Sequence, residues 1–371
     1  MEQKEYFGLG SIRNLRQILK DEKSENVFLV TGRKSYELSG AKEELERIFS
    51  ETNIQYSRFS NFSPNPKIEE VEKGVESFQR NNYNAIVAVG GGSAIDVAKA
   101  IKKLDNKEHR ENPKHIPLIA IPTTAGSGSE ATHFIVYYIG KEKQSKGDPN
   151  LTMPNYSISD SQLTLSLPKH ITAASGMDAL SQAVESYWCV NSTPRSKELA
   201  EKAITLLLTH LEQAVNKPNQ TNKENVMRGA NLAGKAINIT STTACHAISY
   251  PITSYFQVQH GHAVGLTLGE ILVHNSQVTK DDCLDLRGEK YVKETINKIN
   301  RLFKSTTPQQ TKHKIQTIMQ NIGLETKLSG LGLTKEDLNI ILQKGFNPGR
   351  IKNNPRFLTE YNLKKLLLNI Y

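Results

Sequence analysis

The sequence predicts two domains of different texture: an N-terminal α/β dinucleotide-binding domain with a parallel sheet, and an all-α C-terminal domain. Three observations carry this. Short β-branched runs alternate with helical patterns over roughly the first 160 residues, as parallel βαβ units do. One strand–helix junction holds the glycine turn Gly90-Gly91-Gly92. Beyond LPKHITAASG (167–176) the apolar positions recur only at helical spacing. A chain of 371 residues can bury two cores. The border falls near 162–168, giving expected domains 1–165 and 166–371.

Taken in order, NVFLVTG (26–32) reads as a buried strand and GAKEELERIFSE (40–51) as an amphipathic helix. KIEEVEKGVESFQRNN (67–82) is a helix with Val71, Val75 and Phe78 on its apolar side. NAIVAVGGGSAIDVAKAIKKL (84–104) is strand, glycine turn and helix. IPLIAIPTTAGSGSE (116–130) is a strand running into a polar loop, and MPNYSISD (153–160) is the last strand of this half. ITAASGMDALSQAVESYW, SKELAEKAITLLLTHLEQAV and KENVMRGANLAGKAI follow as helices. NKPNQTNKEN (216–225) reads as a polar loop between two of them.

Composition narrows the function. No apolar run approaches the roughly 20 residues of a membrane span, so no membrane partner is expected. The start, MEQKEYFGLGSIRNL, lacks the basic and apolar regions of a secretory signal. Three scattered cysteines make no disulfide framework and fit a reducing cytoplasm. The net charge of +9 comes from basic residues mixed with acids along the chain. That pattern argues against nucleic acid and leaves a bias toward anionic substrates or cofactors.

Three loops read as cofactor contacts. Glycines after a buried strand let backbone approach a pyrophosphate, and the following helix offers unpaired N–H groups to it. Gly91, Gly92 and Ser93 occupy that turn, although the spacing is not GxGxxG. Asp96, in the helix's first turn, either binds a ribose or nicotinamide group or complements the helix dipole. Thr123, Thr124 and Ser127 lie in a hydroxyl-rich loop at the next strand end, suited to phosphates and sugars. The strand NVFLVTG ends in Gly32 and Arg33, without the carboxylate that would repel a 2′-phosphate. This points to NADPH, with NADH tolerated.

The helical half supplies metal chemistry. Asp178 and Gln182 stand four apart, on one face of a helix, and His246 and His260 add two imidazoles. A carboxylate and two imidazoles suit a divalent transition metal with an open position. Gln182 is the odd member, an amide that ligates by its oxygen or holds a water. Cys245, beside His246, reads as a small buried residue.

These pieces, in this order, resemble the iron-containing (group III) alcohol dehydrogenase family over nearly the whole chain. The resemblance runs from FGLGSI through VAVGGGSAIDVAKAI, IPTTAGSGSE, LPKHITAASGMDAL and QHGHAVGLTL to NPGRIKNNPRFLT. It implies the fold of that family, shared with dehydroquinate synthase, and a cofactor and metal between two domains. It further implies that Lys143 reaches the nicotinamide ribose and that the four metal positions fall on Asp178, Gln182, His246 and His260. Fe²⁺ is the implied ion, with Zn²⁺ also compatible. A further family histidine falls on Tyr250. DALSQAVES, STPRS, TTACHAISYPITS and HGHAV are similar to the phosphonoacetaldehyde reductase branch, which reduces its substrate to 2-hydroxyethylphosphonate.

The resemblance therefore implies a metal-assisted NAD(P)H-dependent reductase of a small anionic aldehyde. Proton delivery would run through His262 or the cofactor ribose. The phosphonate requires cations or N–H donors, for which Arg195 and Lys146 are candidates, with His133 and Tyr250 as neutral partners. A homodimer is compatible with this reading. Three rivals stay open: a dehydrogenase for another small aldehyde or alcohol, a dehydroquinate synthase-like lyase, and a cofactor-binding protein without catalysis.

Overall fold

A computed structural model describes residues 3–108 and 115–371, with backbone alone for 106–108. The chain divides into two compact units. The first comprises Met1–Leu167 with Asn219–Met227, the second Pro168–Pro218 with Arg228–Tyr371.

The first unit is built on a six-stranded, wholly parallel sheet. Its strands are β1 (Lys4–Phe7), β2 (Asn26–Thr31), β3 (Gln55–Phe59), β4 (Ala85–Gly90), β5 (Leu118–Pro122) and, after a hairpin, β8 (Tyr156–Ser159). The hairpin pairs β6 (Phe134–Ile139) with β7 (Glu142–Gly147). Sheet order is β1-β8-β5-β4-β2-β3. Side chains alternate across the sheet, as a pleated strand requires. Val27, Leu29, Val87 and Ile121 face a layer with α1 (Asn14–Asp21) and α3 (Ala41–Thr52), which follows the single turn α2 (Ser35–Leu38). Phe28, Val30, Ile86 and Ala120 face α4 (Ile68–Gln79) and α5 (Gly92–Glu108). Burial on both faces explains why the central strands are continuously apolar.

The chain runs outward from β2 to β3, returns to β4, then moves to β5 and β8 on the other side. Neighbours β2 and β4 therefore flank a topological switch point, where ligands bind beyond the carboxyl ends of the strands. Gly32 and Gly90 end those two strands side by side, with Gly32 N–H donating to the Val89 carbonyl at 3.2 Å.

The second unit is helical: α6 (Lys169–Trp188), α7 (Pro194–Asn216), α8 (Gln220–Thr240, whose first residues belong to the first unit), α9 (Ala244–Phe256), α10 (His260–Ser276), α11 (Glu289–Leu302), α12 (Pro308–Asn321), α13 (Asp337–Lys344), α14 (Pro348–Ile351) and α15 (Glu360–Asn369). The loop expected at 216–225 shrinks to Lys217–Asn219, because the polar run from Gln220 already forms the first turns of α8. Among the described residues no helix is long and apolar enough to cross a membrane.

Candidate active site

The carboxyl edge of the parallel sheet gathers the expected cofactor residues. Thr123 N–H donates to the Gly90 carbonyl at 2.9 Å, which docks the threonine loop against the glycine turn. The glycines are bare because the loops meet there. A Cβ on Gly92 would stand 2.7 Å from Ser127 Oγ, and one on Gly91 3.3 Å from Thr124 Oγ1. The turn opens directly into α5, whose first N–H groups point to the same edge. Thr123 is fully buried and its hydroxyl makes no hydrogen bond. A buried hydroxyl without a partner fits a ligand that completes it.

Two arginines lie near the end of β2. Arg33 is turned to Ser60 and Asn61, donating to the Ser60 carbonyl at 3.2 Å and to Asn61 Oδ1 at 3.0 Å. Arg58, at the end of β3, packs closer to the β2 end, donating to Thr31 Oγ1 at 2.7 Å and stacking 4.7 Å from the Tyr36 ring. Glu37 of α2 lies 4.0 Å from that guanidinium, a carboxylate the strand-end reading did not count.

Asp96 is buried, and its carboxylate is spent inside the unit. One oxygen accepts from Ser129 Oγ at 2.5 Å, the other from Val136 N–H at 3.1 Å. Burial holds its pKa above the usual carboxylate range, against the pull of Lys99 and these bonds. Lys99 is itself fully buried and donates to the carbonyls of Ser129, Thr132 and Phe134 at 2.6, 2.8 and 3.0 Å. The pair ties α5 to the loop after β5. Lys143 lies on β7 opposite Tyr138, and His133 precedes β6 with its ring 4.3 Å from that of Phe134.

In the helical unit, Asp178, His246 and His260 converge. One ligand atom from each lies within 4.8 Å of the other two. Among the described residues they form the one such group of three. Ligand bonds of about 2.0–2.2 Å place neighbouring donors about 3–3.5 Å apart around one ion, so this set needs little adjustment. His246 Nε2 is buried, makes no hydrogen bond, and stands 3.4 Å from Asp178 Oδ1. A carboxylate, two imidazoles and an orphaned ring nitrogen aimed among them fit a divalent transition metal.

Local sequence explains the convergence. Asp178 sits mid-way along α6, which is buried along almost its whole length. His246 lies in the first turn of α9, and His260 opens α10. Gly261 makes that opening fit: a Cβ there would run into the Ala174 carbonyl oxygen and stand 2.7 Å from Asp178 Cβ. The bare backbone brings the start of α10 onto α6 beside Asp178. Gln182 is buried one turn beyond Asp178.

Sequence reasoning missed Glu185, a further residue of α6 on the same face, seven after Asp178. It is fully buried and accepts from His246 Nδ1 in a short bond. Its Oε1 also accepts from Thr243 Oγ1 at 2.7 Å and from the N–H groups of Cys245 and Thr243 at 2.9 and 3.1 Å. Burial opposes its charge, but His246 and these donors outweigh that and lower its pKa. Burial likewise opposes charge on His246, yet Glu185 and Asp178 raise that ring to about 9. The heptad-like step from Asp178 to Glu185 was the available signal.

Two other candidate residues have protein partners of their own. His262 donates Nε2–H to the Glu325 carbonyl at 2.7 Å, and burial lowers its pKa. Arg195 is exposed in the first turn of α7, where it pairs with Glu198 at 2.9 Å. Arg350 of α14 lies next to a neighbour of the cluster, its Nε donating to Tyr250 Oη at 3.3 Å. The Tyr250 ring lies 6.2 Å from that of His260.

Known proteins are similar to this chain in sequence and fold. Residues 3–161 match the family model described as iron-containing alcohol dehydrogenase, and residues 172–371 match that of the family's C-terminal region. The chain belongs to the iron-containing alcohol dehydrogenase family and is an NAD(P)-dependent oxidoreductase, for which the family supplies a divalent metal, iron. It is 31% identical over 300 residues to phosphonoacetaldehyde reductase from Streptomyces viridochromogenes, covering 76% of this chain and 74% of that one. It is 26% identical to NAD-dependent methanol dehydrogenase from Bacillus methanolicus, covering 98% and 97%. Its fold matches sulfoacetaldehyde reductase from Bifidobacterium kashiwanohense in complex with NAD+ with a TM-score of 0.86, at 30% identity over 99% and 96% of the two chains.

Proposed function

We propose that this chain reduces a small anionic aldehyde, phosphonoacetaldehyde foremost, to the corresponding alcohol. Asp178, His246 and His260 hold the divalent metal in this reading, with Gln182 as a fourth donor or the holder of a water. When bound, the ion would supply a Lewis acid for the aldehyde oxygen, and the nicotinamide would supply the hydride. Gly91, Gly92 and Ser93 cradle the pyrophosphate at the start of α5, and Thr123, Thr124 and Ser127 line the cofactor beside them. Arg58 and Arg33 at the β2 end favour NADPH, and Glu37 beside Arg58 keeps NADH within reach.

The observation that carries the anionic substrate is Arg350 at Tyr250, next to His260. A guanidinium offers a fork of N–H donors that matches phosphonate or sulfonate oxygens. Two relatives with about 30% identity bear the names of reductases for such aldehydes. The product oxygen would draw its proton from the ribose hydroxyls of a bound cofactor or through His262, which donates Nε2–H to the Glu325 carbonyl at 2.7 Å. Three unpaired cysteines support a cytoplasmic setting.

A second reading, reduction of a neutral short aldehyde, is favoured by the match to methanol dehydrogenase across 98% of the chain. NADPH and NADH oxidation by the metal-loaded protein separates the two, with phosphonoacetaldehyde, sulfoacetaldehyde and propanal compared at equal concentration. A kcat/KM that is highest for propanal overturns the anionic reading.

A further inference from the structure

We infer that Glu185 is a positioning residue for the metal, fixing the tautomer of His246 from inside helix α6. The geometry is specific. His246 can coordinate an ion through Nε2, the nitrogen 3.4 Å from Asp178 Oδ1, only if that nitrogen carries no proton. Glu185 engages the other nitrogen, Nδ1. An ionised carboxylate is an acceptor only, so the ring proton sits on Nδ1 and Nε2 keeps its lone pair for the ion.

The carboxylate is held for this task. Side-chain exposure of Glu185 is 0%, and four donors from the start of α9 fix Oε1 while Oε2 takes His246. Those same donors are N-terminal groups of the helix that carries His246, so one side chain caps α9 and orients its ligand together. Thr243 Oγ1 is in turn held by Trp188 Nε1 at 2.9 Å, one turn further along α6. The single helix α6 thus supplies a direct ligand at Asp178 and, two turns on, the group that readies a second. The two carboxylates also balance the charge of a divalent ion, one directly and one through the imidazole.

The inference rests on the proposed metal site, and Co²⁺ tests both separately. Co²⁺ affinity is measured by chelator competition in the native chain, in Glu185→Gln and in Glu185→Asp, with the thermal midpoint of each metal-free protein. In Glu185→Gln the amide oxygen still accepts from the α9 N–H groups. Its NH₂ donates to Nδ1 and forces the proton onto Nε2. The metal-free midpoint should stay close to native while Co²⁺ affinity falls by about 10–100-fold. Glu185→Asp, which keeps the charge but withdraws it, should lose less. Native-like Co²⁺ affinity in a folded Glu185→Gln overturns the inference and leaves the metal site standing. Failure of the native chain to take up Co²⁺ overturns the metal site, and the inference with it. Nitrogen-15 NMR of the histidines in the Zn²⁺-loaded native chain needs no variant. A proton on Nδ1 of His246 is expected, and one on Nε2 refutes the assignment.

Discussion

Arg350 Nε donates to the hydroxyl of Tyr250 at 3.3 Å, and the Tyr250 ring sits 6.2 Å from that of His260. A cation on α14 thereby stands one aromatic ring away from the cluster. If that guanidinium receives the anion, Arg350→Ala should lower kcat/KM for phosphonoacetaldehyde by about 10–100-fold, the worth of a charge-assisted hydrogen bond. Propanal turnover should change by no more than about threefold, since surface-to-site changes that miss the transition state cost little. Steady-state kinetics on both aldehydes checks this. Equal losses on both would assign Arg350 to holding α14 and not to the substrate.

Gly261 sets how closely α10 meets α6. A Cβ at this position would collide with the Ala174 carbonyl, and that is backbone, which cannot swing away as a flexible side chain can. Gly261→Ala should cost about 1–3 kcal/mol of stability through overpacking. It should also shift His260 away from Asp178, so metal content should fall further than the thermal midpoint suggests. Denaturant titration with metal analysis measures both. Full metal occupancy in a destabilised protein would show that the cluster tolerates the shift.

Much of the fold was legible because the central strands and buried helices carry their burial in their pattern. NVFLVTG and NAIVAVGGG became β2 and β4 because both faces of those strands are covered. The strands without such a pattern are edges or solvent-facing pairs. QYSRF (β3) and KEYF (β1) are half-exposed, and EKQSKG (β7) is a run of polar residues held to β6 by backbone pairing. In the site, Asp178, His246 and His260 were readable from residue type. Glu185 was not, because a buried carboxylate whose partners come from another helix looks like any surface glutamate in a one-dimensional pattern. Arg195 and Arg350 were equally basic in sequence, and only folding separates the one paired with Glu198 from the one beside Tyr250.

His274, in the last turn of α10, carries a pH dependence away from the cluster. Burial, then the charge of Arg356, lowers its pKa from 6.5 to about 4. Arg356 Nη1 stands 3.4 Å from Nδ1, and Nε2 donates to the Phe357 carbonyl at 3.2 Å. The unfolded chain takes up a proton near pH 6.5, whereas the folded chain does so only near 4. Stability from this residue is therefore present above pH 6.5 and drains away as pH falls through that window. The loss is at most about 3 kcal/mol, and less to the extent that water screens the part-exposed ring. His274→Gln should flatten this portion of the stability curve. Urea midpoints at about pH 6.5 and about pH 4.5 for both proteins check it, and parallel slopes would remove His274 as the cause.

Gln182 sets how far the candidate metal site extends along α6. It lies on α6 between Asp178 and Glu185, and the steps of four and three residues put all three polar groups on one stripe of a buried helix. Its neutral amide oxygen is a weaker donor to a borderline divalent ion than an imidazole would be. If position 182 faces the ion, Gln182→His should raise affinity for Zn²⁺ or Co²⁺ by about tenfold or more, equivalent to about 1.4 kcal/mol. The tighter coordination should also displace a water or substrate oxygen, so kcat/KM for the aldehyde should fall as affinity rises. Chelator competition and turnover on one preparation give both readings. Unchanged affinity with unchanged turnover would place the amide outside the coordination sphere, leaving Asp178, His246 and His260 to hold the metal by themselves.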